Sequence, residues 1–240
     1  MSHIQVMLCV LFKVLFLCVF MCVLFFSSIC AAEHVGHVHK VTCAYSLKSF
    51  EFHYEKEATS ANVVMLGDSL IKGGNWSQLI GRNDIVNRGV SGDTLPCIVA
   101  RLAYLKNINA KIYFIEGGVN SVSLMSAESM LVEYKRIVSF VIEQGAIPVV
   151  HTVLYISPMA GKLYPSRRDY KKINNMISDF NTLLVAYARK NNIDYIDVNE
   201  VLSHNKQLKN DFTTDGVHLN SKGYAEWKDL IKNILDENDI

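Results

Sequence analysis

The sequence has no excess of charge of either sign, and this balance limits the kinds of macromolecule that the protein is expected to bind. It carries 24 lysines and arginines against 23 acidic residues, a formal net charge of +1. Proteins that bind nucleic acids or other polyanions usually carry a basic surplus that attracts the partner. The composition therefore gives no electrostatic reason to expect a nucleic-acid partner.

Cysteine is scarce outside the N-terminal segment. Four of the six cysteines lie within residues 1–32, which leaves Cys43 and Cys97. In an exported chain such a pair can form a disulfide, whereas two unpaired cysteines would act as small hydrophobic residues. Both interpretations stay open from the sequence. Internal repeats, low-complexity tracts and a glycine-rich phosphate loop with lysine are also missing, which argues against phosphate binding by the first loop.

The N-terminus contains the long apolar run of the sequence. Residues 14–26 are apolar without interruption, Lys13 precedes them, and Ser27–Ala32 ends in small residues. This order is typical of a secretory signal peptide cleaved after Ala32. The alternative is an uncleaved anchor over residues 4–26, because about 20 apolar residues can span a bilayer. We expect a periplasmic or secreted protein, with membrane contact only if residues 1–32 are retained.

Residues 33–61 are predicted to form an N-terminal arm on a domain of residues 62–240. The arm contains His34, His37 and His39. No cysteine lies close to them, and no regular element is predicted to hold them in a metal-binding geometry. A polar tail is the simpler interpretation, and we expect neither a metal nor a cofactor.

From residue 62 onward, short apolar runs alternate with longer helical segments. Apolar strands that are each followed by a helix predict a parallel sheet covered on both faces. The fold class is therefore α/β, doubly wound. The predicted strands are residues 62–66, 85–88, 111–116, 147–154 and 194–198, and the predicted helices are residues 75–81, 95–105, 127–144, 170–191 and 221–235.

Polar residues follow several of these strands at their carboxyl ends, where open parallel sheets bind ligands. Ser69 follows the first strand, Gly89 the second and Asn120 the third, and Asp215 and His218 follow the fifth. The topology predicts that all five meet at one edge of the sheet. Each alone has an ordinary explanation as a turn, capping or packing residue, but their convergence favours a catalytic site.

These residue types fit nucleophilic acyl transfer. A serine hydroxyl becomes a nucleophile when a histidine takes its proton, and an aspartate can hold that histidine in the required tautomer. We therefore predict Ser69 as nucleophile with His218 and Asp215 as its partners. The backbone N–H groups of Ser69 and Gly89 and the carboxamide of Asn120 are predicted to stabilise the oxyanion.

The ordered motifs resemble the four sequence blocks of the SGNH/GDSL hydrolase family. The stretch around Gly89 is especially similar to bacterial esterases grouped with platelet-activating-factor acetylhydrolase. The resemblance implies a flavodoxin-like three-layer α/β/α sandwich with a five-stranded parallel sheet, and metal-free serine ester hydrolysis. It assigns the nucleophile, its two partners and the oxyanion donors to the same residues. The motifs are Gly67-Asp68-Ser69-Leu70, Asn-Arg-Gly-Val-Ser-Gly-Asp at residues 87–93, Gly-Val-Asn at residues 118–120 and Asp215-x-x-His218.

Four further positions carry expectations. Asp68 is assigned to holding the nucleophile loop. Many family members have aspartate after the oxyanion asparagine, whereas this chain has Ser121, and we expect changed hydrogen bonding with the donor retained. His151 is predicted to be a packed histidine, because valines surround it in sequence. Residues 155–170 are either a substrate-facing lid or an ordinary surface loop.

The sequence thus predicts an exported carboxylic ester hydrolase with a Ser-His-Asp triad. The expected substrate is a small-molecule or glycan ester that loses a short acyl group, acetyl in the first instance. The acetyl preference rests on the resemblance and on the lack of a long apolar insertion. The alternatives are a lysophospholipase or thioesterase of the same family, and a non-catalytic carbohydrate-binding protein on the same fold. The oligomeric state stays open.

Overall fold

The computed structural model describes Cys43 and residues 61–240. The predicted signal peptide, the three histidines of the arm and most of the arm itself lie outside the described residues. Cys43 and Cys97 are both disulfide-bonded. Among the described residues, no helix has the length and apolar character needed to cross a membrane.

Within residues 61–240 the central sheet contains five parallel strands, as predicted. They are β1 (Val63–Gly67), β2 (Ile85–Gly89), β3 (Ile112–Ile115), β4 (Ile147–His151) and β5 (Asp194–Ile196). Their order is β2-β1-β3-β4-β5, which is the flavodoxin-like order. Because β2 and β3 flank β1 on opposite sides, the strand order reverses between β1 and β3. Ligands of such sheets bind at the carboxyl ends of the strands beside this reversal, here called the carboxyl edge.

The five predicted helices are all present, and short elements that the sequence pattern did not predict join them. The predicted helix over residues 95–105 is divided near Arg101 into an α-helix and a 3₁₀ turn. The helices are α1 (Ser69–Lys72), α2 (Trp76–Ile80), α3 (Leu95–Ala100), α4 (Ala127–Glu143), α5 (Pro158–Leu163), α6 (Tyr170–Lys190), α7 (Asn199–Leu202) and α8 (Ser221–Glu237), with 3₁₀ turns at Leu102–Leu105, Pro165–Arg167 and Asn210–Phe212 and a hairpin of Ser203–His204 with Gln207–Leu208.

The helices cover both faces of the sheet because both faces of each central strand are apolar. In β1, Val64 and Leu66 pack with α3, α4 and α6, whereas Val63 and Met65 pack with α1, α2 and α8. All four side chains are fully buried, so the period-two alternation of a strand supplies two cores at once. The three-layer prediction is confirmed.

His151 lies in the second of these cores. Its side chain is fully buried, its ring stacks on Phe114 with centroids 5.8 Å apart, and it meets Trp227 edge-on at 5.3 Å. Burial lowers its pKa to about 3, so the ring is neutral at physiological pH. The prediction of a packed histidine is confirmed.

Candidate active site

Ser69 is the first residue of α1 and follows β1 directly. Asp68 caps this helix, because its Oδ1 accepts a hydrogen bond of 2.9 Å from the Leu70 N–H. The predicted role of Asp68 in holding the loop is therefore confirmed. As the first helical residue, Ser69 has a backbone N–H without an acceptor inside the helix. The turn thus presents both a hydroxyl and an N–H donor at the carboxyl edge.

Ser69, His218 and Asp215 form a continuous hydrogen-bonded chain. His218 Nε2 lies 2.9 Å from Ser69 Oγ, across 149 residues of sequence, and His218 Nδ1 lies 2.6 Å from Asp215 Oδ2. Because the carboxylate accepts at Nδ1, that nitrogen carries the proton and Nε2 is left to accept from the serine hydroxyl. The structure brings these three predicted residues together in the geometry of a serine nucleophile with a general base.

Asp215 is ionised at neutral pH. Burial raises its pKa, but the hydrogen bonds from His218, Val217 and Tyr164 outweigh burial and lower the pKa to about 2. Its Oδ1 accepts from the N–H groups of Val217 at 2.9 Å and His218 at 2.8 Å. The carboxylate is thereby held in one orientation, and it can stabilise a positive charge on the imidazole.

Asn120 follows β3, the strand beside β1. Its Nδ2 donates to the Asp93 carbonyl at 3.1 Å, and its Oδ1 accepts from Arg167 Nη2 at 3.1 Å. A carboxamide nitrogen carries two N–H groups, so one is left for a ligand. Ser121 is buried, and its Oγ accepts from the Leu95 N–H at 2.8 Å. The altered hydrogen bonding expected at Ser121 thus joins this loop to α3.

Gly89 does not have the environment that the sequence predicted. Its N–H already donates to Asn87 Oδ1 at 2.9 Å. A Cβ on Gly89 would lie 2.2 Å from the Lys72 backbone nitrogen, so glycine is needed there because β2 packs tightly against α1. The structure does not support Gly89 as an oxyanion donor, and its role is corrected to close packing.

Gly92, in the loop that follows β2, has the properties expected of a donor. It is exposed and has φ of +81°, a left-handed conformation that glycine adopts without strain. Within residues 61–240 no hydrogen bond uses its N–H. The next residue, Asp93, accepts from Asn120 through its carbonyl, so this loop adjoins Asn120. The sequence motif contains both glycines, and the hydrogen bonds favour Gly92 over Gly89 as the candidate donor.

A buried pair of carboxyl groups lies beneath the nucleophile turn. Asp68 is 0% exposed and Glu116, directly after β3, is 1% exposed, and the two carboxyl groups are close enough for each to affect the pKa of the other. Burial raises the pKa of Asp68 to about 6. Burial, followed by the charge of Asp68, raises the pKa of Glu116 well above its ordinary value. Two buried carboxylates in contact repel one another, so the pair retains a proton.

Arg101 supports the same region from below. Its Nε donates to Asp93 Oδ2 at 2.7 Å and its Nη2 donates to the Gly67 carbonyl at 2.8 Å. The Arg101 and Asp93 side chains are both 0% exposed. One guanidinium therefore connects the end of β1 with the loop that carries Gly92. The sequence analysis did not identify Arg101 and Glu116 as site residues, because a sequence shows that a residue is charged but not that it is buried.

Residues 157–168, called here the lid segment, contact both halves of the site. Tyr164 Oη donates to Asp215 Oδ2 at 2.7 Å. Arg167 Nη1 donates to the Val119 carbonyl at 2.7 Å, in addition to its bond to Asn120. Of the two interpretations of residues 155–170, the structure favours the one that faces the site.

The described residues contain no group of three histidine, cysteine, aspartate or glutamate side chains placed to hold a metal ion. The polar atoms at the carboxyl edge are instead arranged around a hydroxyl. This donor set fits proton transfer between Ser69 and His218 and stabilisation of a negative oxygen by N–H groups.

Comparisons with known proteins agree with this arrangement. Residues 65–226 match the model of the GDSL-like lipase/acylhydrolase family. A GDSL-like lipase from Bacteroides thetaiotaomicron superposes with a TM-score of 0.69 at 22% identity, over 82% of this chain and 98% of that chain. A carbohydrate acetylesterase from Sinorhizobium meliloti has a TM-score of 0.60 at 14% identity, over 74% and 99%.

An inhibitor-bound aryl esterase from M. smegmatis has a TM-score of 0.59 at 12% identity, over 74% of this chain and 99% of that chain. No curated protein sequence matches the chain significantly. At sequence identities of 12–22%, the structural similarity supports a shared fold and nothing more.

Proposed function

The chain belongs to the GDSL-like lipase/acylhydrolase family, and from that premise we propose that it hydrolyses carboxylic esters through an acyl-enzyme on Ser69. The observation that carries the proposal is the hydrogen-bonded chain from Ser69 Oγ through His218 to Asp215, with distances of 2.9 and 2.6 Å. A protein that only binds carbohydrate has no need for a base aligned with a hydroxyl. This contact disfavours the non-catalytic alternative.

The proposed reaction has two halves. Ser69 Oγ attacks the ester carbonyl while His218 Nε2 takes the hydroxyl proton, and Asp215 stabilises the imidazolium. The imidazolium then gives that proton to the departing alkoxide, which leaves an acyl-serine. A water molecule, deprotonated by the same nitrogen, attacks the acyl-serine. The imidazolium then returns this proton to Ser69 Oγ as the bond to the acyl group breaks, which releases the carboxylic acid and the free serine.

The oxyanion formed in each half needs donors that are in place beforehand. We assign this role to the Ser69 N–H, the Asn120 Nδ2 and, in place of Gly89, the Gly92 N–H. One oxyanion donor contributes roughly a 100- to 1,000-fold factor in kcat. The free N–H of Gly92 and its position beside the carbonyl that Asn120 binds support this assignment.

For the substrate we propose a short acyl group, acetyl in the first instance, on a carbohydrate or similar polar alcohol. The lid segment supports this choice because it is short and brings Tyr164 and Arg167 to the site. The fold shared with the S. meliloti carbohydrate acetylesterase is consistent with it. Leu124 and Leu163 are 69% and 56% exposed and flank the two site loops in sequence, which favours longer acyl chains as the second candidate.

The nucleophile is tested with the purified full chain and p-nitrophenyl acetate. We expect Ser69→Ala to lower kcat at least about 1,000-fold, because loss of a triad member removes the acyl-enzyme route. A fluorophosphonate probe should label Ser69 in the wild type, as located by peptide mass spectrometry. Ser139→Ala, an exposed serine on α4, is the matched control and should retain full activity. Unchanged hydrolysis by Ser69→Ala would refute the proposal.

The acyl preference is tested with p-nitrophenyl esters of increasing chain length. We expect the highest kcat/KM with acetyl or a similarly short acyl group, and a peak at about eight carbons or more would transfer the assignment to a lysophospholipase or thioesterase. Acetylated glycans, peptidoglycan fragments and lysophospholipids are then incubated with the wild type and with Ser69→Ala. Mass spectrometry identifies the product that only the wild type releases.

A further inference from the structure

Arg167 of the lid segment is bound to the residue assigned as oxyanion donor. Its guanidinium donates to Asn120 Oδ1 at 3.1 Å and to the Val119 carbonyl at 2.7 Å. Neither sequence motifs nor the proposed reaction gives this arginine a role. We propose that Arg167 is a positioning residue that fixes the Asn120 carboxamide with its remaining N–H toward the oxyanion. The inference rests on the proposed function.

The chemistry of the two neighbours allows one orientation of the carboxamide. A guanidinium can only donate, so the Asn120 atom beside Arg167 must be the oxygen. A backbone carbonyl can only accept, so the Asn120 atom 3.1 Å from the Asp93 carbonyl must be the nitrogen. Turning the carboxamide by 180° would place donor against donor and acceptor against acceptor. Both contacts therefore oppose the turned state, in which the oxyanion would face a carbonyl oxygen.

The neighbouring side chain cannot replace this support. Ser121 follows Asn120, but its Oγ accepts from the Leu95 N–H at 2.8 Å and its side chain is buried. Loss of Arg167 leaves the Asp93 carbonyl as the remaining described partner of the carboxamide. A hydrogen bond to a charged group corresponds to about a 10- to 100-fold factor in an equilibrium, so the turned state then competes with the productive one.

The charge of Arg167 adds to the effect of its geometry. The side chain is half-buried; burial lowers its pKa and the charge of Asp68 offsets part of that effect. An arginine in such a position stays protonated. A fixed positive charge beside Asn120 favours the negative oxygen of the transition state over the neutral ester. Replacement of Arg167 by alanine is therefore expected to lower kcat and to leave KM unchanged.

The experiment compares Arg167→Ala, Arg167→Lys and the control Arg168→Ala, whose side chain is exposed. Steady-state hydrolysis of p-nitrophenyl acetate should show kcat lowered about 10- to 100-fold for Arg167→Ala with KM within about two-fold of the wild type. Arg167→Lys keeps the positive charge but lacks the planar guanidinium, so its kcat should lie between those of the wild type and Arg167→Ala. Guanidinium chloride at about 20 mM should raise kcat of Arg167→Ala several-fold and leave Arg168→Ala unchanged.

A double-mutant cycle distinguishes positioning from a general structural role. If Arg167 acts through Asn120, Arg167→Ala should cause little further loss of kcat in an Asn120→Ala background. The inference would be overturned if the effects of the two substitutions on kcat were fully additive. It would also be overturned if kcat of Arg167→Ala stayed within about two-fold of wild type, or if the substitution only raised KM. Circular dichroism checks folding, and Arg167→Lys supplies the same comparison if Arg167→Ala is unfolded.

Failure of the inference and failure of the proposed function have different signatures. In the first case the wild type hydrolyses the ester and the fluorophosphonate labels Ser69, while the Arg167 variants behave like the control. In the second case the wild type neither hydrolyses an ester nor reacts at Ser69. That result overturns the proposed function and the role of Arg167 together.

Discussion

Replacing Glu116 by glutamine should remove a specific part of the pH dependence of stability. Glu116 is 1% exposed and in contact with Asp68. Burial, followed by the charge of Asp68, raises the pKa of Glu116 well above its ordinary value of 4.5. Glutamine keeps the shape of the protonated acid and supplies a permanent N–H donor, so Glu116→Gln isolates the effect of the titratable proton.

The sign follows from proton binding in the two states. Above about pH 4.5 the unfolded chain loses the Glu116 proton while the folded protein retains it. A raised carboxyl pKa therefore gives a stability that is complete below the unfolded pKa and lost as pH rises through the folded pKa. Each pH unit in this window removes about 1.4 kcal/mol from the free energy of unfolding. As pH rises above about 4.5, the wild type should therefore lose stability more steeply than Glu116→Gln, by up to about 1.4 kcal/mol for each pH unit below the folded pKa of Glu116.

The measurement is thermal or urea unfolding of both proteins across this pH range. A difference of about 1.4 kcal/mol corresponds to about 3–6 °C in Tm for a domain of this size. The pH dependence is compared rather than the absolute Tm, because any packing cost of the amide is independent of pH and cancels. Glu143→Gln, an exposed acid on α4, is the control and should keep the wild-type slope. Parallel curves for wild type and Glu116→Gln would refute the assignment of a retained proton.

Two further changes test other parts of the site. Tyr164→Phe removes one of the donors to Asp215 and should raise the pKa of Asp215 from about 2 to a value still far below neutrality. kcat/KM should fall about two- to ten-fold, with an unchanged pH profile between about pH 6 and 8. A pH profile displaced in that range would contradict the prediction. Arg101→Met removes the guanidinium that donates to the buried Asp93 carboxylate and to the Gly67 carbonyl and should cost about 3–5 kcal/mol in urea unfolding; stability within about 1 kcal/mol of wild type would contradict it.

The sheet could be predicted from the alternation of strand and helix patterns, and the Ser69, His218 and Asp215 site from the residue types that follow the predicted strands. β1 and β3 are apolar runs of ordinary length, and a parallel sheet brings the carboxyl ends of its strands to one edge. Ser69 and His218, 149 residues apart, therefore meet at 2.9 Å without any long-range information in the sequence. The fourth predicted strand extended to residue 154, but β4 ends at His151. The apolar run continues there because Val153 and Leu154 are buried in the cores after the strand has ended.

The choice between Gly89 and Gly92 could not be made from the sequence. Both glycines lie in one motif after the second strand, and glycine is suited equally to close packing and to a left-handed turn. The deciding facts are three-dimensional. The Gly89 N–H donates to Asn87, and a Cβ at Gly89 would collide with α1. Gly92 is exposed, and no hydrogen bond within residues 61–240 uses its N–H.

Glu116 and Arg101 show a second limit of sequence patterns. A charged residue after an apolar strand, or at the end of a short helix, is usually a solvated one. Here both are buried, because each has a charged or polar partner from another part of the chain: Asp68 for Glu116 and Asp93 for Arg101. Charge burial depends on such partners, which periodicity does not reveal.

The lid segment joins the two halves of the site through a single short turn. Tyr164 donates a hydrogen bond to Asp215, which holds His218. Arg167 donates to Asn120, to which we assign the oxyanion role. The turn between them is closed by a hydrogen bond of 2.9 Å from the Arg167 N–H to the Tyr164 carbonyl, and Pro165 restricts its backbone. This turn therefore fixes the spacing of the Tyr164 and Arg167 backbones. We expect a displacement of the turn to weaken the hydrogen bonds to Asp215 and Asn120 together, and so to affect the proposed general base and the proposed oxyanion donor at once.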